Sequence, residues 1–457
     1  MSIPRSAKLC CLTLLLVFFS ANLAQAGMAH RDCRFPMVFP GAAVNVVVLP
    51  YRYAGGNNNS LTNMGNRLSL LVKLDVLFHI LGYGSVGAVQ MEMPEDASKD
   101  DPSCLPETVL PKLLGPSAGP ITSLPPKHGL VLVWGLLYED GNDVFVQTYA
   151  RFLRRDADEL VTFQAGGSSF SAKPSSQSLA FTPQKLSQAE LVQIENSYRN
   201  ANFVRIAPDD KAPGDRLPDL VARCAGSGCD DSPVHAGFYV EEKKGEWIRI
   251  QYMDPIKDQR KDGWIHASGG LSGIPLDAVL PELKFIEGCA GYLRHRVADA
   301  EHAPAPAGSA MLAVSQLDEF RKANDTQPSD VANAVALQLA GIVEFLSGPV
   351  QLESLSRAAN DFESARKMIP YDPNAITLAV GAQVVVEWKQ KGRCDQTALK
   401  AQRLSAASAL SSNQIALANL NSLYTLLLKS PGSEVTVENL TRGEITNRLT
   451  IAKQVSH

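Results

Sequence analysis

The hydrophobic pattern of this chain changes character twice along its length, and that succession limits the folds open to it. From residue 27 to 185 short apolar runs surround one long helical stretch. Val44–Pro50 (VNVVVLP) and Val86–Met91 predict buried strands. Between them Leu68, Leu71, Val72, Val76 and Ile80 recur at helical spacing over Thr62–Leu81, with Gly82 as the expected C-cap. Residues 94–128, rich in Pro and acidic side chains, predict loop with short helical pieces. Leu130–Tyr138 and Val144–Phe152 flank a polar turn at Gly141 and predict a β-hairpin. Residues 186–197 predict a linking helix. From 198 to 270 the pattern is all-β, with strands expected at Asn202–Ile206, Phe238–Glu242, Glu246–Tyr252 and Gly263–Ala267. From 276 to 430 Ala- and Leu-rich helical segments alternate with Pro, Gly and Asp breaks, of which His302–Ser309 is the longest, and 431–457 is a weakly patterned tail. The expected architecture is multidomain α+β: a small α/β domain (27–185), a β-barrel (198–270) and a helical-repeat domain (276–430).

The N-terminus reads as an export signal. Arg5 and Lys8 precede the apolar run Leu9–Phe19, and Ala24-Gln25-Ala26 is a small-x-small cleavage site, so residues 1–26 are expected to be removed after Ala26. The run is shorter than the ~20 residues of a spanning helix. Cys10 and Cys11 stand at its start, which disfavours a lipid-modified cysteine. Nothing later has the length of a spanning segment, so a periplasmic or secreted protein without a transmembrane segment is expected. The chain carries 43 basic and 47 acidic side chains, without a basic stripe, which argues against nucleic acid as a partner. Six cysteines remain beyond the signal: Cys33, Cys104, Cys224, Cys229, Cys289 and Cys394. In an oxidising compartment they are expected to pair, and position along the chain suggests Cys33–Cys104, Cys224–Cys229 and Cys289–Cys394.

No catalytic constellation is evident. Gly82-Tyr83-Gly84-Ser85-Val86-Gly87 matches G-x-G-x-x-G but follows a helix and precedes a strand, the reverse of a dinucleotide fingerprint, so no cofactor is expected. Ser364-Ala365-Arg366-Lys367 matches S-x-x-K without the companion elements of penicillin-binding enzymes. The histidines are scattered, Cys224 and Cys229 lack a second ligand pair, and no metal is expected. His79, on an apolar helix, reads as a core-edge residue. Cys289 facing His295 or His302 would be a nucleophile only if it were not in a disulfide.

Two segments carry a resemblance. Phe203-Val204-Arg205, Gly245-Glu246-Trp247-Ile248-Arg249-Ile250 and Gly263-Trp264-Ile265-His266 resemble, in order, the three strand motifs of bacterial SH3-like domains, with long insertions at 209–235 and Met253–Lys261. Ala358, Phe362, Ala365 and Pro370 resemble the second helix of a tetratricopeptide (TPR-like) repeat, with a weaker copy at Leu404 and Ala407 and Gly341 in the preceding helix. Val47-Val48-Leu49-Pro50 is similar to the opening strand of the N-terminal domain of the translocation protein TolB, an analogy of fold alone.

Strand alternation assigns Ile248 and Ile250 to one face, with Trp247 and Arg249 on the other, and Ile265 opposite Trp264 and His266. Trp247, Arg249, Trp264 and His266 are therefore the expected ligand surface. The resemblances imply a non-catalytic envelope scaffold or adaptor whose helical repeats bind an envelope protein and whose barrel binds a peptidoglycan stem peptide or a second protein. The alternative is a hydrolase of the cell wall or of exported peptides, with a site in residues 30–185, where His30, His79 and His128 are the available histidines.

Overall fold

The structure is a computed structural model that describes residues 33, 38–55, 58–91, 102–115, 124–165, 168–201, 207–208, 238–244, 247–254, 259–266, 276–324, 331–346 and 352–391. The expected signal peptide, Cys224, Cys229, Cys394, the expected strand Asn202–Ile206, the expected repeat copy at Leu404 and the tail lie outside them.

Strand β1 (Val44–Tyr53) is the axis of a mixed sheet. Its β-branched run is buried on both sides, as a central strand requires. Helix α1 (Asn59–His79) follows, capped by Asn58, whose side chain accepts from the Leu61 N–H. It ends at Ile80 rather than Gly82; Leu81–Tyr83 forms a 3-10 turn, and the left-handed residues are Gly84 and Ser85, which redirect the chain into β2 (Val86–Gln90). β2 and β3 (Gly129–Asp140) flank β1 in parallel. The β1–β3 register shifts between Val48 and Tyr51, where Pro50 has no N–H to give the ladder. The Tyr51 N–H instead donates to Ser69 Oγ of α1 at 2.9 Å. Gly65 permits that approach, since a Cβ there would lie 1.8 Å from the Tyr51 carbonyl oxygen.

β4 (Asp143–Arg154) closes the expected hairpin on β3 through a turn with Gly141 at φ 63°. Short strands β5 (Val161–Ala165), β6 (Ser168–Ala172), β7 (Ser178–Ala180) and β8 (Gln184–Leu186), which the sequence pattern did not reveal, follow it, and then α3 (Gln188–Ala201). On one face of the sheet the short α2 (Pro106–Leu114) packs with Phe39, Leu49, Leu130 and Leu132, beside a disulfide between Cys33 and Cys104 with Cα atoms 5.4 Å apart. The other face carries α1.

The all-β segment continues this same sheet. β10 (Phe238–Lys244) pairs with β2 through Phe238↔Ala88 and Tyr239↔Gly87, and β11 (Trp247–Asp254), β12 (Gln259–His266) and the two-residue β9 (Ala207–Pro208) extend it outward. Among the described residues these strands form an open meander on the edge of β2. The segment Met253–Lys261, expected as an insertion, in part lengthens β11 and β12 as a paired hairpin.

A four-residue helix α4 (Leu276–Val279) leads into α5 (Glu282–Glu301), α6 (Ser309–Ala323), α7 (Val331–Leu346), α8 (Leu352–Met368) and α9 (Pro373–Lys391), each packed on the next. Gly341 of α7 lies under Phe362 of α8; a Cβ there would meet the ring at 2.9 Å. The array folds back on the sheet at both ends. α5 covers β1, β3 and β4 beside α1, and α9 packs on β5 and β6. Phe163 of β5 meets Phe345 and Phe362 edge-on, at 5.0 and 6.2 Å. Asp372 at the start of α9 accepts from the Ala375 N–H at 2.8 Å and from the Ser175 hydroxyl at 2.9 Å. One hydrophobic core therefore includes Val46, Leu71, Val240, Ile250, Ile286 and Phe362, residues of all three sequence segments.

Buried charge secures α5 to the sheet. Arg154 of β4 donates through Nε to Glu159 Oε1 at 2.7 Å, and the Tyr292 hydroxyl of α5 donates to the other carboxylate oxygen at 2.7 Å. Arg154 also reaches the carbonyl oxygens of Asp158 and Arg296. Removing one partner of such a pair leaves the others buried and uncompensated. Glu159→Ala is expected to destabilise the protein by about 3–5 kcal/mol, measured by denaturant unfolding; a change below about 1 kcal/mol would show that the network is peripheral to stability.

Candidate functional site

Besides the Arg154 network and an acidic group on α6, α7 and α8, where burial and then the charges of Glu344 and Asp318 push the Asp361 carboxyl up to about 7, three clusters of ionisable or nucleophilic groups stand out among the described residues. The first joins α1 to α5. Asp75 and His79 stand one turn apart on α1, so both project from the same side of the helix, and Glu287 faces them from α5. His79 Nδ1 lies 3.0 Å from the Asp75 carbonyl oxygen, 3.0 Å from Glu287 Oε1 and 3.7 Å from Asp75 Oδ2. Lys284 closes the group from the same helix, 3.3 Å from Glu287 Oε2 and 3.0 Å from Asp277. Burial raises the carboxyls of Asp75 and Glu287 above their ordinary range, Glu287 to about 7; the Asp75 charge raises Glu287 further, and the Asp277 charge raises Asp75. The adjacent carboxylates of Asp75 and then Glu287 push the His79 imidazole up to about 10. Asp75, His79 and Glu287 are the group of three among the described residues whose donor atoms, all within 4.8 Å of one another, could hold a metal ion.

The second cluster runs through the sheet. The Thr148 hydroxyl donates to Glu282 Oε1 at 2.6 Å, and the Tyr51 hydroxyl, 3.2 Å from Thr148 Oγ1, donates in turn. Glu282 is fully buried at the start of α5, and burial pushes its carboxyl up to about 7. The third is His295 Nε2, 3.1 Å from the Ser309 hydroxyl. That hydroxyl donates to the Pro306 carbonyl oxygen at 2.6 Å, so the imidazole N–H donates to it and no base is left to activate the serine. Both residues are buried, and burial with the neighbouring Arg294 charge pushes His295 down to about 4. Cys289 is a free thiol without exposed surface, and burial holds it protonated. Its expected disulfide partner, Cys394, lies outside the described residues.

The expected ligand surface is brought together only in part. Arg249 and Trp264 are directly cross-strand on β11 and β12, and Trp247 pairs with His266 at the end of the same ladder. Trp264 is 4% exposed, although Arg249 beside it on the same face keeps 33% of its side chain exposed, while Ile250 on the opposite face belongs to the main core. Arg249 lies between Glu241 at 3.3 Å and Asp262 at 3.6 Å, two carboxylates that already oppose its charge. The side chains of Trp247 and His266 lie outside the described residues. Gly82–Gly87 spans the turn after α1 and the first two residues of β2, and Ser364 and Lys367 lie on α8.

Sequence reasoning placed His79 at a core edge, where its side chain is indeed 34% exposed, but missed Asp75 and Glu287. The available signal was Asp75 four residues before His79 in an otherwise apolar helix; Glu287 comes from a distant helix and leaves no local trace.

His295 gives a pH dependence of definite sign. Its folded pKa of about 4 is below its ordinary value of 6.5, so the stability that neutral His295 permits is complete above pH 6.5 and is lost as pH falls towards 4. His295→Gln is expected to flatten the acid limb of the stability profile over that interval relative to the native chain. Parallel profiles for the two proteins would contradict the assignment.

No protein-family model, curated protein or solved structure matches the chain.

Proposed function

We propose that the chain is a non-catalytic scaffold or adaptor of the bacterial cell envelope, exported by its N-terminal signal, with TPR-like helices that dock a protein partner and an SH3-like meander that contacts a peptidoglycan stem peptide or a second protein. The observation that carries this reading is where the reactive groups of the described residues are used. Glu159, Glu282, Glu287, His295 and Cys289 are all buried where elements pack together. The serial packing of α5 to α9 supports a binding role, since stacked helices present an extended surface. The Cys33–Cys104 bridge fits an oxidising compartment. No helix among the described residues is long and apolar enough to cross a membrane.

The test is capture from envelope extract with the intact mature chain, because fragments would expose the shared core. Met311 on α6 and Tyr371 before α9, 77% and 67% exposed, are the positions to alter. Retention of a specific envelope protein that Met311→Glu or Tyr371→Glu abolishes supports the reading. Turnover of peptidoglycan or peptide substrates by the native chain would overturn it.

The burial of Trp264 separates structure from binding in the meander. Trp264→Ala is expected to cost about 3–5 kcal/mol of stability, and Arg249→Ala, at a solvent-screened ion pair, within about 1 kcal/mol. Calorimetry against stem peptide, beside thermal melts, checks both. Loss of binding with an unchanged melting temperature in Trp264→Ala would return that tryptophan to the ligand surface.

A further inference from the structure

The cluster between α1 and α5 contains two carboxylate oxygens that nothing hydrogen-bonds. Oδ2 of Asp75 and Oε1 of Glu287 are both shut from solvent, on residues 3% and 0% exposed, and both lack a hydrogen-bond donor. Buried acceptors are costly to leave unpaired, and two facing carboxylates add mutual repulsion. Lys284 reaches the opposite oxygen of Glu287, so its charge does not satisfy Oε1 directly. The His79 ring nitrogen lies beside both unpartnered oxygens, at 3.0 and 3.7 Å, but is also 3.0 Å from the Asp75 carbonyl oxygen, which competes for any proton it carries.

We infer that Asp75, His79 and Glu287 bind a first-row divalent cation that cross-links α1 to α5. Two carboxylate oxygens and one imidazole nitrogen are donors that suit Zn2+ or Mn2+. Ligand atoms about 2.0–2.2 Å from an ion stand roughly 3–4 Å from one another, so the observed span of 4.8 Å closes with side-chain movements of about an ångström. His79 ligates as the neutral imidazole, and Lys284 remains on the outer oxygen of Glu287, fixing the carboxylate's orientation. Two of the three ligands are sealed in the helix interface, so the ion's role is structural. It gives Asp75 Oδ2 and Glu287 Oε1 a shared divalent partner in place of the single charge of a protonated His79, which otherwise lies beside both without a hydrogen bond to either.

The experiment uses the purified mature chain, stripped with chelator, and titrates it with Co2+ followed by absorbance and with Zn2+ followed by calorimetry and thermal melts. Expected are one ion per chain, weak visible bands without a thiolate charge-transfer band, and a melting temperature raised by a few degrees at a hundredfold excess over Kd. His79→Gln and Glu287→Gln should each weaken binding at least about tenfold. An intense thiolate band would place the ion on cysteines and overturn the inference. So would the absence of saturable binding, or an affinity unchanged in His79→Gln. Should Glu287→Gln fail to fold, the native cobalt spectrum and the part-exposed His79 position still decide the matter.

Discussion

The burial of α5 is the constraint on which the rest of this structure depends. The helix lies between the sheet and the helical array, with α1 beside it, and its charged residues face inward as well as its apolar ones. Glu282, Glu287, His295 and Arg296 are all nearly inaccessible. Each is matched by a group from another part of the chain: Thr148 for Glu282, His79 for Glu287, Ser309 for His295, and the Leu160 carbonyl oxygen for Arg296. Burying ionisable groups stabilises little by itself, but an unmatched arrangement is strongly disfavoured. The pairs therefore define one docking geometry for α5 on the sheet.

That geometry turns three sequence segments into a single body. The meander enters through two residue pairs between β2 and β10 and through Tyr239, which packs on Phe39 with ring centroids 5.9 Å apart. The helical array enters through α5 at one end and through Phe163, Gln338 and Asp372 at the other. A partner held on the helices would thus bear on elements continuous with the sheet, and a cation between α1 and α5 would brace the same joint.

Elements set by local pattern were legible in the sequence. The β-branched run of β1, the spacing of Leu68, Leu71, Val72 and Val76 in α1, and the Gly141 turn between β3 and β4 each follow from periodicity or turn chemistry. What escaped depends on contacts distant in sequence. Arg154 and Glu159 lie more than a hundred residues before Tyr292, so their charges read as surface until the fold brings them together. Trp264 escaped for a related reason: alternation identifies which residues share a face, but whether that face is covered depends on the rest of the fold. β5 to β8 are three to five residues long and too short to show periodicity.

Whether the sheet and the helices unfold together is the most direct test of this account. In a Trp388→Phe variant, which removes the tryptophan of α9, the remaining Trp134, Trp247 and Trp264 report on the sheet, while the far-ultraviolet circular dichroism is dominated by the helices. Equilibrium denaturation followed by tryptophan fluorescence and by circular dichroism should give superimposable transitions. Two resolved transitions, with the helical signal surviving after the sheet is lost, would contradict a core shared through α5.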